Sequence, residues 1–149
     1  MNNLSKDKLI IGITNTLSDW EIRDSKDRVR LTRLSRFDNG IVTGRCPLGY
    51  RPRYRNTGSR RGVIKIVPDP KKVEIIQDIF FMTSQGKKYK EICDKHKLKP
   101  QSYYNTIKNK VYIGIITFEG KEKKGIHSPL ITSEIFYKVN PTLKEHETS

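Results

Sequence analysis

From Ser5 to Phe37 the chain has no proline and one glycine, and Ile10, Ile13, Leu17 and Trp20 fall on a single stripe at helical spacing. The pattern predicts one continuous helix, on the order of 50 Å long at 1.5 Å per residue. Beyond Trp20 the stripe gives way to charge, with Asp19/Arg23 and Asp24/Arg28 four apart in the acid-first order that supports a helix. Nothing else in this segment covers its apolar half. A core helix and a seam with a second copy fit the pattern equally.

A second apolar pattern starts near Val63. Val63–Val67 reads as a short strand, and Asp69-Pro70 as an N-cap followed by proline at the first helical position. Val73, Ile76, Ile79 and Phe80 then line one face of a helix that stops at Gly86. Ile92, Cys93, Leu98, Tyr103 and Ile107 are spaced as in a helix-turn-helix, broken at Lys99-Pro100, with the small Cys93 where the helices cross. Tyr112–Phe118 reads as a strand, Lys121–Gly125 as a basic turn, and Thr132–Val139 as a helix capped by Thr132. The tail from Pro141 is expected to fray. The fold class is α+β, mostly helical: a long N-terminal helix (1–40), an extended basic linker (41–62), a small domain with short strands (63–140) and a tail (141–149).

Charge changes this picture most between the helix and the small domain. Residues 41–66 hold seven basic side chains and no acidic one, half of the chain's net +14. Arg45, Arg51, Arg53, Arg55, Arg60 and Arg61, with Tyr50 and Tyr54 among them, lie on backbone that glycine and proline keep out of a helix. Arginines so spaced suit the phosphate rails or narrow minor groove of double-stranded DNA, and the pI near 9.9 points to a polyanion partner, nucleic acid before membrane. Evenly scattered lysine would have signified solubility alone. In the helix pair, the second helix would turn Gln101, Ser102, Tyr104, Asn105 and Lys108 outward, and Gln and Asn amides match adenine in the major groove.

Chemistry of other kinds finds little support. His96, His127 and His146 stand in unrelated contexts, His96 as a solvated or phosphate-facing residue and His127 in a turn before Ser128-Pro129. Cys46 and Cys93 form neither a CxxC nor a pair with nearby histidines, so no metal, cofactor or disulfide is expected. No nucleophile stands beside a base, and no catalytic residue is assigned. The longest apolar run, Leu9–Ile13, is too short for a bilayer, and MNNLSKDK is not a secretory signal, so a cytoplasmic location with no membrane partner is expected. The residues describe a binding module.

The order of motifs resembles the recombinase domain of the large serine recombinases, a family of phage integrases and transposon-borne site-specific recombinases. It rests on Gly44, Pro47, Gly49 and Tyr50, on Val67-Pro68-Asp69-Pro70 and Ile79-Phe80, and on Ile92, Asn109, Tyr112, Ile113 and Gly114. His127, Pro129, Leu130, Ile131 and Phe136 complete it, and Trp20 to Arg28 is similar to the family's long connecting helix. The resemblance implies subunit association through Leu9, Ile13, Leu17 and Trp20, and approach to the crossover by Arg33 and Arg36. It also implies a minor-groove linker from Gly44 to Arg55 and a major-groove domain on an attachment half-site. The family's nucleophilic serine domain, zinc-ribbon cysteines and coiled-coil insertion have no counterpart in these 149 residues, and Asn109-Lys110-Val111 replaces its Asn-Pro. The expectation is a split or truncated recombinase that binds DNA, beside a separate catalytic subunit or as a homodimer, and does not cleave alone. A complete small recombinase or nuclease, and an RNA-binding accessory protein, are the alternatives.

Overall fold

The first helix, α1, runs Asn3–Asp38, the span expected from the absence of helix breakers. The structure is a computed structural model; it describes the backbone of residues 3–57 and 60–145 and the side chains of 15–55, 62 and 65–143. The chain divides into two units, Met1–Ser35 and Arg36–Ser149. In the first, Arg28 pairs with Asp24 at 2.7 Å as the spacing predicts. Leu17, Trp20, Ile22, Val29 and Leu31 are each more than half exposed, so the described part of this unit buries no apolar face of its own. The side chains of Ile10 and Ile13 lie outside the described residues.

The second unit begins in the last turn of α1. Phe37 is buried and packs against Phe118, with ring centroids 5.9 Å apart. The helix closes there through bonds from Gly40 N to Phe37 O (2.9 Å) and from Ile41 N to Arg36 O (2.8 Å), the pairing of a Schellman end. Gly40 O in turn accepts from Ile126 N, and Lys123 Nζ donates to Asp38 O. The compact unit therefore starts at Arg36, earlier than the apolar pattern indicated, because Phe37 finds its partner on a strand eighty residues downstream.

The arginine stretch lies inside this unit, and it is paired. β1 (Tyr50–Thr57) and β2 (Arg60–Pro68) form an antiparallel hairpin with Tyr50 opposite Pro68 and Thr57 opposite Arg60. A bulge between Arg53 and Tyr54 leaves Ile64 as the extra residue of β2. A single-stranded extended linker was expected here; the backbone is extended but paired, because β-branched Val63, Ile64, Ile66 and Val67 supply a second strand. At the hairpin base Gly49, φ +92°, lies so close to Ile76 that a Cβ would sit 2.7 Å from its Cγ1. Its carbonyl accepts from Asp69 N at 2.9 Å.

Asp69 caps a turn, not a helix. Its Oδ1 accepts from Lys71 N at 3.1 Å, and α2 begins only at Val73, running to Ser84 with Ile76, Ile79 and Phe80 buried. After Gly86, α3 (Tyr89–His96) and α4 (Pro100–Lys108) follow, joined by a turn in which Lys97 adopts φ 53°. Cys93 is buried, as its expected packing role requires. The strand expected from Tyr112 starts three residues late. Asn109 Oδ1 accepts from Val111 N at 3.1 Å and winds Lys110–Ile113 into a 3-10 turn that drives Tyr112 into the core.

β3 (Ile115–Phe118) then pairs with β4 (Lys121–Lys124), the segment expected to be a turn. The turn itself is Glu119-Gly120, both at positive φ (48° and 78°), as two-residue hairpins demand. α5 (Ser133–Val139) carries its predicted cap, Thr132 Oγ1 accepting from Ile135 N at 3.4 Å. The described part of the tail forms α6 (Pro141–Glu145): Leu143 packs on the core, and Asn140 Nδ2 donates to Ile107 O at 2.6 Å. The core gathers Tyr50 and Ile66 from the hairpin, Ile76, Ile79 and Phe80 from α2, and Ile92, Tyr103, Ile107, Tyr112, Ile131 and Phe136 from later elements.

Candidate nucleic-acid interface

α4 separates its two faces cleanly. Tyr103, Thr106 and Ile107 are buried, and Gln101, Ser102, Tyr104, Asn105 and Lys108 are all exposed. The buried positions three and four apart force the others outward, so this part of the expected recognition surface is brought together as one polar face. Gln101 Nε2 donates to Asn105 Oδ1 at 3.0 Å across one helical turn. Whichever amide donates, the pair leaves a free carbonyl at one end and free N–H groups at the other. Tyr104 leans on Tyr103 and Tyr89, with centroids 5.2 and 5.8 Å away.

The face is held rigidly from beneath. Tyr103 OH meets Thr83 Oγ1 of α2 at 3.0 Å, and Asn140 holds the carbonyl of Ile107. α3 is tied to α2 by Asp78, whose Oδ2 receives Lys95 Nζ at 2.8 Å and His96 Nε2 at 2.7 Å. The Lys95 bond, then that of His96, hold the Asp78 carboxyl below its ordinary range. His96 is thus committed to an intramolecular partner and is not the solvated or phosphate-facing residue expected.

Beside the outer face of α4 lies an open cleft of about 430 Å³, reaching Lys110, Thr117 and Glu122. Lys110 Nζ bonds Glu122 Oε1 at 2.7 Å along its wall. These side chains were missed because no spacing in the sequence links the end of α4 to β4; pairing of β3 with β4 makes them neighbours.

In the hairpin, Arg51, Arg53 and Arg55 are exposed, as is Arg45 before it. Tyr54 is 51% exposed and lines a shallow hollow with Arg51, Arg53 and Val67. Tyr50 is a correction: it is 4% exposed, stacks on Tyr112 at 6.0 Å and donates its hydroxyl to Ser128 O at 2.7 Å. A bulky apolar ring next to a glycine that fits against α2 belongs to the core, not to a DNA-facing surface. The side chains of Arg60 and Arg61 lie outside the described residues, as do those of Leu9 and Ile13. Arg33 is exposed and Arg36 half-buried, each in its own unit, and Leu17 and Trp20 are exposed.

His127 stands at a bend before Ser128-Pro129, as expected, and is buried there. Its Nε2 donates to Val111 O at 2.7 Å and its ring meets Tyr50 edge-on at 5.5 Å. Burial pushes its pKa down, with the Val111 bond opposing, and Nδ1 has no hydrogen-bond partner among the described residues. Burial likewise raises the Cys46 thiol, with Lys72 opposing. No three His, Cys, Asp or Glu side chains among the described residues gather as a metal site, and no helix there is long and apolar enough to cross a membrane.

Comparison with known proteins adds to this geometry. The family model described as Recombinase matches residues 70–146, just over half of the chain. A solved structure described as "Sequence Requirements of the Listeria innocua prophage attP site" shares the fold with TM-score 0.64 at 20% identity, over 78% of this chain and 51% of that one. A second, "Crystal Structure of a LSR-DNA Complex", does so with TM-score 0.62 at 20% identity, over 80% and 38%. The chain thus spans about half or less of these structural relatives. No curated protein matches it.

Proposed function

The chain belongs to the Recombinase family, and from that premise we propose that it binds double-stranded DNA sequence-specifically at an attachment-type site in site-specific recombination. One observation carries this reading: the exposed polar face of α4, with its linked Gln101–Asn105 amides, backed by a fully packed core. In this reading α3 and α4 work as a helix-turn-helix, with α4 presenting base-reading amides to the major groove. The exposed arginines of residues 45–55 supply sequence-independent affinity.

The chain provides binding and not cleavage. A serine-recombinase catalytic domain, on the same polypeptide or another, supplies the nucleophile. The exposed Leu17 and Trp20 of α1 are where a catalytic subunit or a second copy docks, and Arg33 and Arg36 are the arginines that approach DNA near the crossover. The likeness to chains solved in work on an attP site and on an LSR–DNA complex supports the assignment.

Gel-shift titration of the chain against duplexes at graded salt tests it. If about six basic side chains meet phosphates, log K falls against log salt with a slope near −5. A slope near zero, or equal affinity for every duplex, would overturn sequence-specific binding. A covalent protein–DNA adduct formed by this chain alone would overturn the division of labour.

A further inference from the structure

Among its described side chains, the β1–β2 hairpin is buried only at its base. Tyr50 and Ile66 are buried there, whereas four residues along β1 from Tyr50, at Tyr54, the side chain is already more than half exposed. A two-stranded hairpin without a supporting layer is marginally stable in water. This one also opposes itself: the register sets Arg53 directly across from Lys65, and like charges in that position destabilise a ladder. The sequence between Asp38 and Asp69 offers no carboxylate to relieve them. The bulge falls on β2, so alternation along β1 continues and Arg51, Arg53 and Arg55 share one face at intervals of about 6.8 Å. Such a face suits an anion supplied from outside.

Its width selects where that anion lies. Paired strands are about 4.8 Å apart between backbones, so with their own atoms and side chains they exceed a minor groove about 6 Å wide. The major groove, about 12 Å wide, admits a two-stranded ribbon. We propose that the β1–β2 ribbon seats in the major groove of duplex DNA. There the Arg51, Arg53 and Arg55 face lies against the phosphates of one groove wall. It does not run along the minor groove as a strap. This inference rests on the reading of the chain as a duplex binder.

Tethered cleavage separates the two. An iron–EDTA chelate is attached to Tyr54→Cys in a Cys46→Ser background, with the intact chain bound to a duplex that the unmodified chain has selected from a randomised pool. Hydroxyl radicals released in the major groove cut in two clusters flanking the chelate; those released in the minor groove cut in one cluster offset to the 3′ side. Two flanking clusters are expected, and the same pattern shifted along the duplex from a second tether at Arg51→Cys. A single 3′-offset cluster overturns the groove assignment. Retained binding with no cleavage from either tether removes the ribbon from the interface and leaves the duplex-binding reading standing. Failure of the unmodified chain to select any duplex sinks that reading itself, and the inference with it.

Discussion

α4 and the β1–β2 ribbon are both positively charged, solvent-facing elements of one compact unit, yet they are built in opposite ways. α4 buries Tyr103, Thr106 and Ile107, has its last turn gripped by Asn140, and rests on α2 through Thr83. The ribbon is fixed at Tyr50 and then carries Arg53 against Lys65. An element that discriminates bases needs its donors and acceptors in place before binding, since misplacement of a single amide forfeits the contact. One that supplies charge can order late, because its energy comes from phosphates and released counterions. In the proposed function, rigidity and frustration divide specificity from affinity.

The largest test breaks both regions together. Phe80→Ala removes a fully buried ring that packs on Tyr112 and Phe136. It should cost about 3–5 kcal/mol, read as a lower urea midpoint, and DNA binding should fail with the fold. Next, Arg51→Ala, Arg53→Ala and Arg55→Ala combined should weaken binding to all duplexes alike. The salt slope should shrink by about 3, with the urea midpoint unchanged or raised. Asn105→Ala should do the reverse, costing about 1–3 kcal/mol on the preferred duplex and almost nothing on others. Equal losses on all duplexes would erase the contrast between the two regions.

Acid should act on the ribbon's base first. The folded pKa of His127 is depressed by burial, so below its unfolded value of about 6.5 the unfolded chain takes up the proton more readily. Stability is then lost as pH falls from there toward the folded pKa. Because His127 packs on Tyr50, hydrogen exchange at β1 should quicken before that at α4, and His127→Gln should remove the effect. Asp78, with its carboxyl held low, stabilises above about pH 3.9 and gives way only as pH falls through its folded pKa. The α2–α3 tie should therefore survive mild acid. The smallest change, Lys65→Glu, replaces a like pair with an opposite one and should firm the free hairpin by about 0.2–1 kcal/mol while lowering DNA affinity.

The helices were legible in the sequence because periodicity of 3.6 is a local property. α1, the buried face of α2 and the Thr132 cap stand where spacing puts them, and the outward set of α4 follows from Tyr103 and Ile107 facing in. Charge was legible for the same reason, since an acid-free run needs no fold to exist. Elements defined by partners far along the chain were not. Arg51 to Arg55 give no local sign that Lys65 and Val67 lie across from them, and Lys121–Lys124 become a strand only because Ile115–Phe118 lie alongside. The fates of Tyr50, His96 and His127 depended on Ser128, Asp78 and Val111, each sixteen or more residues away. The sequence by itself determined the helices, the basic segment and the family's order of motifs. Tertiary structure alone decided that the basic segment is a paired ribbon and that its first tyrosine is core, because strand pairing and burial are settled by long-range contacts that no local spacing encodes.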